Sequence, residues 1–218
     1  MRLAAALPVL LVALAACGGR GSDEPPGLLD GIPQDGLVLG DPDAPVTLVE
    51  FADLQCPYCA RFSRTTLPAI VAEYVRPGHV RLVFRGVAFL GPDSGEALRA
   101  VLAAGLQGKL WQLAELLYEA QGRENSGWVT DELLLELGGR VDGLDVERMM
   151  AERDSDAVDL ELERARAAAI QAGIEGTPSF WAGPTDEPLR LLAAGAAPAP
   201  IFRSVLNAVL GEPSAKAA

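Results

Sequence analysis

The chain is short of cysteine, histidine, aromatic residues and basic charge, and each shortage removes a class of function. Three cysteines and one histidine in 218 residues are the whole supply of soft metal ligands, and they do not cluster. Cys56 and Cys59 stand together, Cys17 lies far upstream, and His79 follows a Pro-Gly turn, where a solvated loop residue is expected. A structural zinc site needs four such ligands, so no metal is assigned. Eighteen Lys and Arg against thirty Asp and Glu give a formal charge of −12, with no dense basic block. A nucleic-acid backbone would find no counter-charge, and nucleic acid is excluded as a partner. Aromatic residues make up only 6% of the chain. Trp111 and Tyr118 recur at helical spacing and read as core, whereas Trp181, at the start of a strand, is placed either inward or along a binding groove.

What is present is concentrated at Cys56-Pro57-Tyr58-Cys59. Two cysteines three positions apart fall on one face of a first helical turn, within reach of a disulfide. Pro57 suits the first helical position, which puts Cys56 at the N-cap, facing unpaired amide groups and the positive end of the helix dipole. A thiolate at Cys56 is therefore favoured. Cys59, one turn further in, is expected to be more enclosed and to resolve a mixed disulfide. The redox-active pair itself is the only redox group that the sequence calls for, and no external cofactor is assigned.

The order of elements supplies the setting. Val46 to Phe51 reads as a buried central strand. A helix with Phe62, Leu67, Ile70, Val71 and Tyr74 on one face follows, with a kink expected at Pro68 and a stop at Pro77-Gly78. A second strand, Val80 to Phe84 and extending toward Phe89, completes a crossover unit of two parallel strands. From about 91 to 155 the pattern is helical throughout: Asp93 with Glu96 suggests a capping box, Gly105 and Gly108 separate two helices, and Thr130 and Asp145 cap two more. A long helix from Ser155 to Ala172 ends at Gly173. A hairpin of Ser179–Ala182 and Leu189–Ala194, turning at Gly183-Pro184, and an amphipathic helix with Phe202, Val205, Leu206 and Val209 close the domain. This is one domain with an insertion, of α/β class, spanning 39–212 and followed by a tail at 213–218.

Strand, Cys-x-x-Cys helix, strand, helical block, long helix, hairpin and final helix resemble the thioredoxin-like fold with an inserted helical subdomain. The chain resembles the DsbA family of thiol-disulfide oxidoreductases through residues 43–51, Cys56-Pro57-Tyr58-Cys59, Gln107-Gly108-Lys109-Leu110-Trp111 and Gly176-Thr177-Pro178-Ser179-Phe180. The resemblance implies a cis bond before Pro178, packed against the dithiol, where the residues alone allow a trans proline opening a strand. It implies that Thr177 offers backbone groups to an extended substrate segment, alongside Pro57 and Tyr58. Glu50, six positions before Cys56, is implied as a buried carboxyl that shuttles protons to Cys59, with Asp53 a weaker claimant; an edge position facing water is the alternative. Tyr58 stands where strongly oxidising relatives carry histidine, so the redox poise is open. Cys-Pro-Tyr-Cys also occurs in glutaredoxins, whose compact fold lacks the helical block.

Residues 1–16 carry one charge, Arg2, and an apolar run too short to span a bilayer. Leu14-Ala15-Ala16-Cys17 resembles the lipobox of bacterial lipoproteins, which makes 1–16 a signal peptide and Cys17 a lipidated anchor; a plain secretory leader is the alternative. Residues 17–38, rich in Gly, Pro, Asp and Glu, read as a flexible tether. The expectation is an exported, membrane-anchored lipoprotein on the extracytoplasmic side, at the periplasm or cell surface. Its substrates would be exported proteins with thiols, and a membrane redox partner of DsbB or quinone-coupled type would reset the pair. Three functions remain open: an oxidase, a reductase or isomerase using the same dithiol, and a lipid-anchored peptide-binding module with a structural disulfide.

Overall fold

The computed structural model describes residues 27–211; the leader, Cys17 and the tail lie outside the described residues. A mixed sheet in the order β1-β2-β4-β3-β5-β6 runs through the centre, built from β1 (Gln34–Asp35), β2 (Val38–Leu39), β3 (Val46–Ala52), β4 (Val80–Gly86), β5 (Ser179–Pro184) and β6 (Arg190–Ala194). β3 and β4 pair in parallel, and the other neighbours pair antiparallel. Every residue of β3 is buried, because helices cover both faces of the sheet and each face needs an apolar side chain. Leu48 and Ala52 enter the larger core, which contains α1 (Pro57–Thr65). Val49 and Phe51 join Val83 and Ala169 under α7 (Asp156–Gln171). By the two-residue alternation of a strand, Glu50 shares the α1 face with Leu48 and Ala52.

α1 is pinned to the sheet by three rings. Phe62 on α1 lies 4.4 Å from Phe180 on β5, and both touch Phe202 on α8 (Ala199–Gly211), at 5.4 and 4.8 Å. Offset and edge contacts of this kind bury large area in few rotamers. The kink expected at Pro68 falls two residues earlier. Thr66 has φ −118°, α2 (Leu67–Ile70) restarts after it, and the chain then widens into a π-helical turn over Val71–Val75. Pro68, with no N–H and a ring that crowds the preceding turn, can open a helix but not continue one.

The insertion comprises α3 (Pro92–Gly105), α4 (Leu110–Glu119), α5 (Asp131–Gly139) and α6 (Val146–Glu152). Thr130, Asp145 and Ser155 cap α5, α6 and α7, accepting from the N–H groups of Leu133, Arg148 and Val158. The Asp93–Glu96 capping box does not form. Pro92 already occupies the first helical position, so Asp93 lies inside the turn, and its carboxylate accepts from the N–H groups of Gly127 and Trp128 at 2.9 and 3.2 Å. α7 ends as expected, with Gly173 at φ +64°, a left-handed position that favours glycine.

Two boundaries differ from expectation. Residues 27–38, read as the end of a tether, belong to the folded domain: Leu29 and Ile32 are buried in the core and β1–β2 adds an edge hairpin on β4. The frequent Gly and Pro mask a few apolar anchors there. The turn placed at Gly183-Pro184 comes later, because both residues extend β5 against Thr47 and Val46.

Candidate active site: a dithiol at a helix tip

Cys56 occupies the N-cap of α1 in an extended conformation, φ −72° and ψ 119°, with Pro57 first in the helix. Both cysteines are in the free thiol form; Cys56 is 5% exposed and Cys59 has no exposed surface. Burial accordingly acts on the two unequally. The Cys56 thiol is lowered to about 6, first because the Cys59 thiol can donate to a Cys56 thiolate; burial opposes this, while the Thr177 side chain and the N–H groups of Cys59 and Tyr58 add to the lowering. Cys59 moves the other way, well above the ordinary thiol range, chiefly through desolvation, then its bond to Cys56 and the nearby charge of Glu50. One turn of helix thus holds a thiolate and a thiol of opposite character.

Glu50 is 3% exposed, which rules out the alternative of an edge residue facing water. Desolvation raises its carboxyl to about 8, so near neutral pH it is mostly a neutral acid, on the sheet face that α1 covers. Asp53, the weaker claimant, is otherwise engaged. Its carboxylate accepts from four donors: Gln55 N–H at 2.8 Å, Ser94 Oγ at 2.6 Å, Phe89 N–H at 2.8 Å and Leu90 N–H at 3.1 Å. That arrangement orders the turn before Cys56.

Pro178 follows a cis peptide bond after Thr177, and the Cys56 thiol donates to the Thr177 carbonyl at 3.2 Å. The α1 tip and the Thr177-Pro178 loop therefore stand side by side. Tyr58 is 55% exposed, and the Arg61 guanidinium sits 5.2 Å from its ring centroid. Beside them opens a groove of about 520 Å³, lined by Tyr58, Arg61, Gly176, Thr177, Trp181 and Leu191 among others. Trp181 takes both of the placements open to it, packing against the core under α7 while lining the groove, and its indole Nε1 is enclosed without a hydrogen-bond partner among the described residues. Trp111 and Tyr118 are core residues, and His79 is exposed.

Sequence reasoning missed the polar clamp between the dithiol turn and the insertion. Gln55, 1% exposed, donates to Ser94 Oγ at 2.9 Å and Asn125 Oδ1 at 3.1 Å, and its Oε1 accepts from Asn125 N–H at 2.7 Å and Trp128 Nε1 at 3.3 Å. Gln121 donates to the carbonyls of Leu54 and Cys56 at 2.8 and 3.3 Å. A glutamine immediately before a Cys-x-x-Cys motif was the only signal available. No group of three or more His, Cys, Asp or Glu arranged to hold a metal occurs among the described residues.

Comparison with known proteins places these features in a wider group. A family model described as Thioredoxin matches residues 33–186. The probable disulfide bond formation protein D of Bacillus anthracis is 32% identical over 146 residues, covering 66% of this chain and 67% of that protein. The crystal structure of oxidised BdbD from Bacillus subtilis superposes with a TM-score of 0.71 at 25% identity, covering 83% of this chain and 98% of that one. The structure of alpha-DsbA1 from Wolbachia pipientis, at 19% identity, shares the fold with a TM-score of 0.70 over 84% of this chain and 92% of its own.

Proposed function

Because the chain belongs to the DsbA family of thioredoxin-like thiol-disulfide oxidoreductases, we propose that it works as a dithiol oxidase, introducing disulfides into exported proteins. The observation that carries the direction is the acidic Cys56 thiol. A pKa of about 6 stabilises the reduced form near neutral pH, and a stabilised reduced form makes its disulfide the stronger oxidant.

In the oxidising cycle a client thiolate attacks Cys56 Sγ of the Cys56–Cys59 disulfide. The S–S bond breaks and Cys59 leaves as a thiolate. Cys59 is buried and its charge is costly, so it takes a proton, for which neutral Glu50 is the donor on the same face. A second client thiolate then attacks the client sulfur of the mixed disulfide and releases Cys56 as the stabilised thiolate. The client gains one disulfide, and two electrons rest on the cysteine pair. No other redox group enters this cycle. Thr177, Pro57 and Tyr58 line the place where the client backbone approaches.

Export and anchoring belong to the same proposal. Leu14-Ala15-Ala16-Cys17 supports cleavage before Cys17 and its lipidation, which would hold the domain on the extracytoplasmic side, at the periplasm or cell surface. Several acyl carbons at about 0.8 kcal/mol per buried methylene give firm attachment, and none of the described helices is long and apolar enough to cross a membrane. A membrane oxidant of DsbB or quinone-coupled type would return the pair to the disulfide. Replacing Cys17 by Ser should shift the chain from the membrane fraction to the soluble one.

The direction is tested by equilibrating the full chain with glutathione buffers. An oxidising potential, near those of strong dithiol oxidants, is expected; a potential as low as that of thioredoxin would make the protein a reductase. Cys59→Ser should accumulate mixed disulfides between Cys56 and client proteins, and an absence of such adducts in a client-rich extract would leave only the peptide-binding reading.

A further inference from the structure

A second groove lies around the corner from the first. Val87, Ala88 and Phe89, on the chain leaving β4, face Leu162, Ala169 and Ile170 on α7 across about 580 Å³. Ile174 lines both grooves, so they meet at the C-terminal end of α7, just before Thr177 and Pro178. The walls of the second groove are apolar and partly uncovered: Phe89 is 51% and Ile170 72% exposed. Phe89 is not a loose loop side chain, since its N–H is held at 2.8 Å by Asp53, the carboxylate that also orders the turn before Cys56. One anchor thus presents both the dithiol and this wall.

Arg166 is the one charged side chain lining the second groove. Its neighbour on the same helix, Arg164, pairs with Glu161 at 2.5 Å, and Arg85 lies 3.7 Å from Glu161. The Arg166 guanidinium, in contrast, makes no hydrogen bond or ion pair with any of the described residues. A free guanidinium above an apolar groove complements one kind of ligand: an apolar polypeptide segment bearing a carboxylate.

We propose that the two grooves form one bipartite client site, in which the reacting cysteine lies against Thr177 and a neighbouring apolar stretch of the client fills the second groove with an Asp or Glu side chain on Arg166. This rests on the reading that the dithiol acts on client polypeptides. It makes the protein selective among unfolded clients, favouring cysteines accompanied at a fixed spacing by an apolar residue and an acid.

The test uses the full chain in its disulfide form and reduced two-cysteine peptides in which a Leu-Glu pair is placed at a series of spacings from the first cysteine, each with a Leu-Gln and a Leu-Lys counterpart. At one spacing the Glu peptide should be oxidised about threefold to tenfold faster, at limiting peptide, than its Lys counterpart, the range expected of a partly exposed ion pair. The preference should shrink with added salt. Arg166→Glu should invert it, and Arg166→Gln should abolish it. Equal rates for the three peptides at every spacing, or a preference unaltered in either variant, overturn the proposal. If the wild-type chain oxidises none of the peptides, the oxidase reading itself fails, an outcome distinct from oxidation without preference.

Discussion

The thiol of Cys56 and the carbonyl of Thr177 meet at 3.2 Å although they are 121 residues apart in sequence. Through this contact the helix tip that activates the sulfur becomes part of the wall against which a client would lie. The carbonyl itself favours the protonated thiol, but the Thr177 side chain on the same loop lowers it, so the acidity of Cys56 draws on the assembled domain and not on the Cys-Pro-Tyr-Cys segment alone. Alkylation of the reduced protein with iodoacetamide should reach half its maximal rate near pH 6 and modify Cys56 alone, with Cys59 protected until the chain is unfolded. A midpoint at the value of an ordinary free cysteine would remove the basis of the mechanism. Since the folded pKa lies below the unfolded one, Cys56 stabilises the reduced fold above the unfolded value, and that contribution is lost as pH falls through about 6.

Glu50 should show the opposite sign. Its folded pKa of about 8 lies above the reference of 4.5, so the neutral form is the one the fold favours. Its contribution is intact below about 4.5 and is lost as pH rises through 8. Urea unfolding of the reduced wild type and of Glu50→Gln, compared at pH 5 and pH 9, should show the variant gaining on the wild type at the higher pH by a few kcal/mol, on the order of the shift converted at about 1.4 kcal/mol per unit. The same variant should slow the proton-dependent release of Cys59 from the disulfide. A stability gap independent of pH would place the carboxyl in contact with solvent.

The clamp residues make a different prediction. Gln55→Leu preserves apolar bulk but strands the N–H groups of Asn125 and Trp128 and removes a donor from Ser94. Each buried polar group left unpaired costs about 1–3 kcal/mol, so the variant should lose at least about 2 kcal/mol in urea unfolding. Asp53→Asn should destabilise similarly, because an amide nitrogen would face the N–H donors that the carboxylate now accepts. Gln55→Leu removes no ionisable group, so its effect should not follow the steep pH dependence expected of Glu50.

What the sequence disclosed and what it concealed divide along a physical line. β3, α1, the helical block and α7 were legible because apolar periodicity, Pro57, Thr130, Asp145, Ser155 and Gly173 are local signals with local causes. Cys56 at the N-cap follows from Pro57 in the same way. The clamp of Gln55, Ser94, Gln121 and Asn125 was not legible: buried polar partners are chosen by three-dimensional proximity and leave no period in the chain. The packing of Leu29 and Ile32 was hidden because two apolar anchors among glycines and prolines look like a linker. Asp93 was misassigned because Pro92 claimed the first helical position and released the carboxylate for a distant loop.

Trp181 offers a test of the groove independent of the cysteines. Its indole N–H is enclosed and unpaired among the described residues, a condition that costs free energy in the unliganded protein and is relieved when a ligand supplies an acceptor. A client backbone carbonyl in the first groove becomes such an acceptor once the indole turns to bring its N–H to the groove surface. Trp181→Phe keeps an aromatic ring and deletes the stranded donor, so it should change unfolding stability by no more than about 1 kcal/mol, the lost area and the removed penalty offsetting each other. Binding of a non-reactive client peptide, with serine in place of cysteine, should nevertheless weaken by about threefold to tenfold, the worth of one neutral hydrogen bond. Titration calorimetry measures the binding and urea unfolding the stability. Loss of both in proportion would mark Trp181 as a packing residue, whereas loss of binding alone assigns the N–H to client recognition.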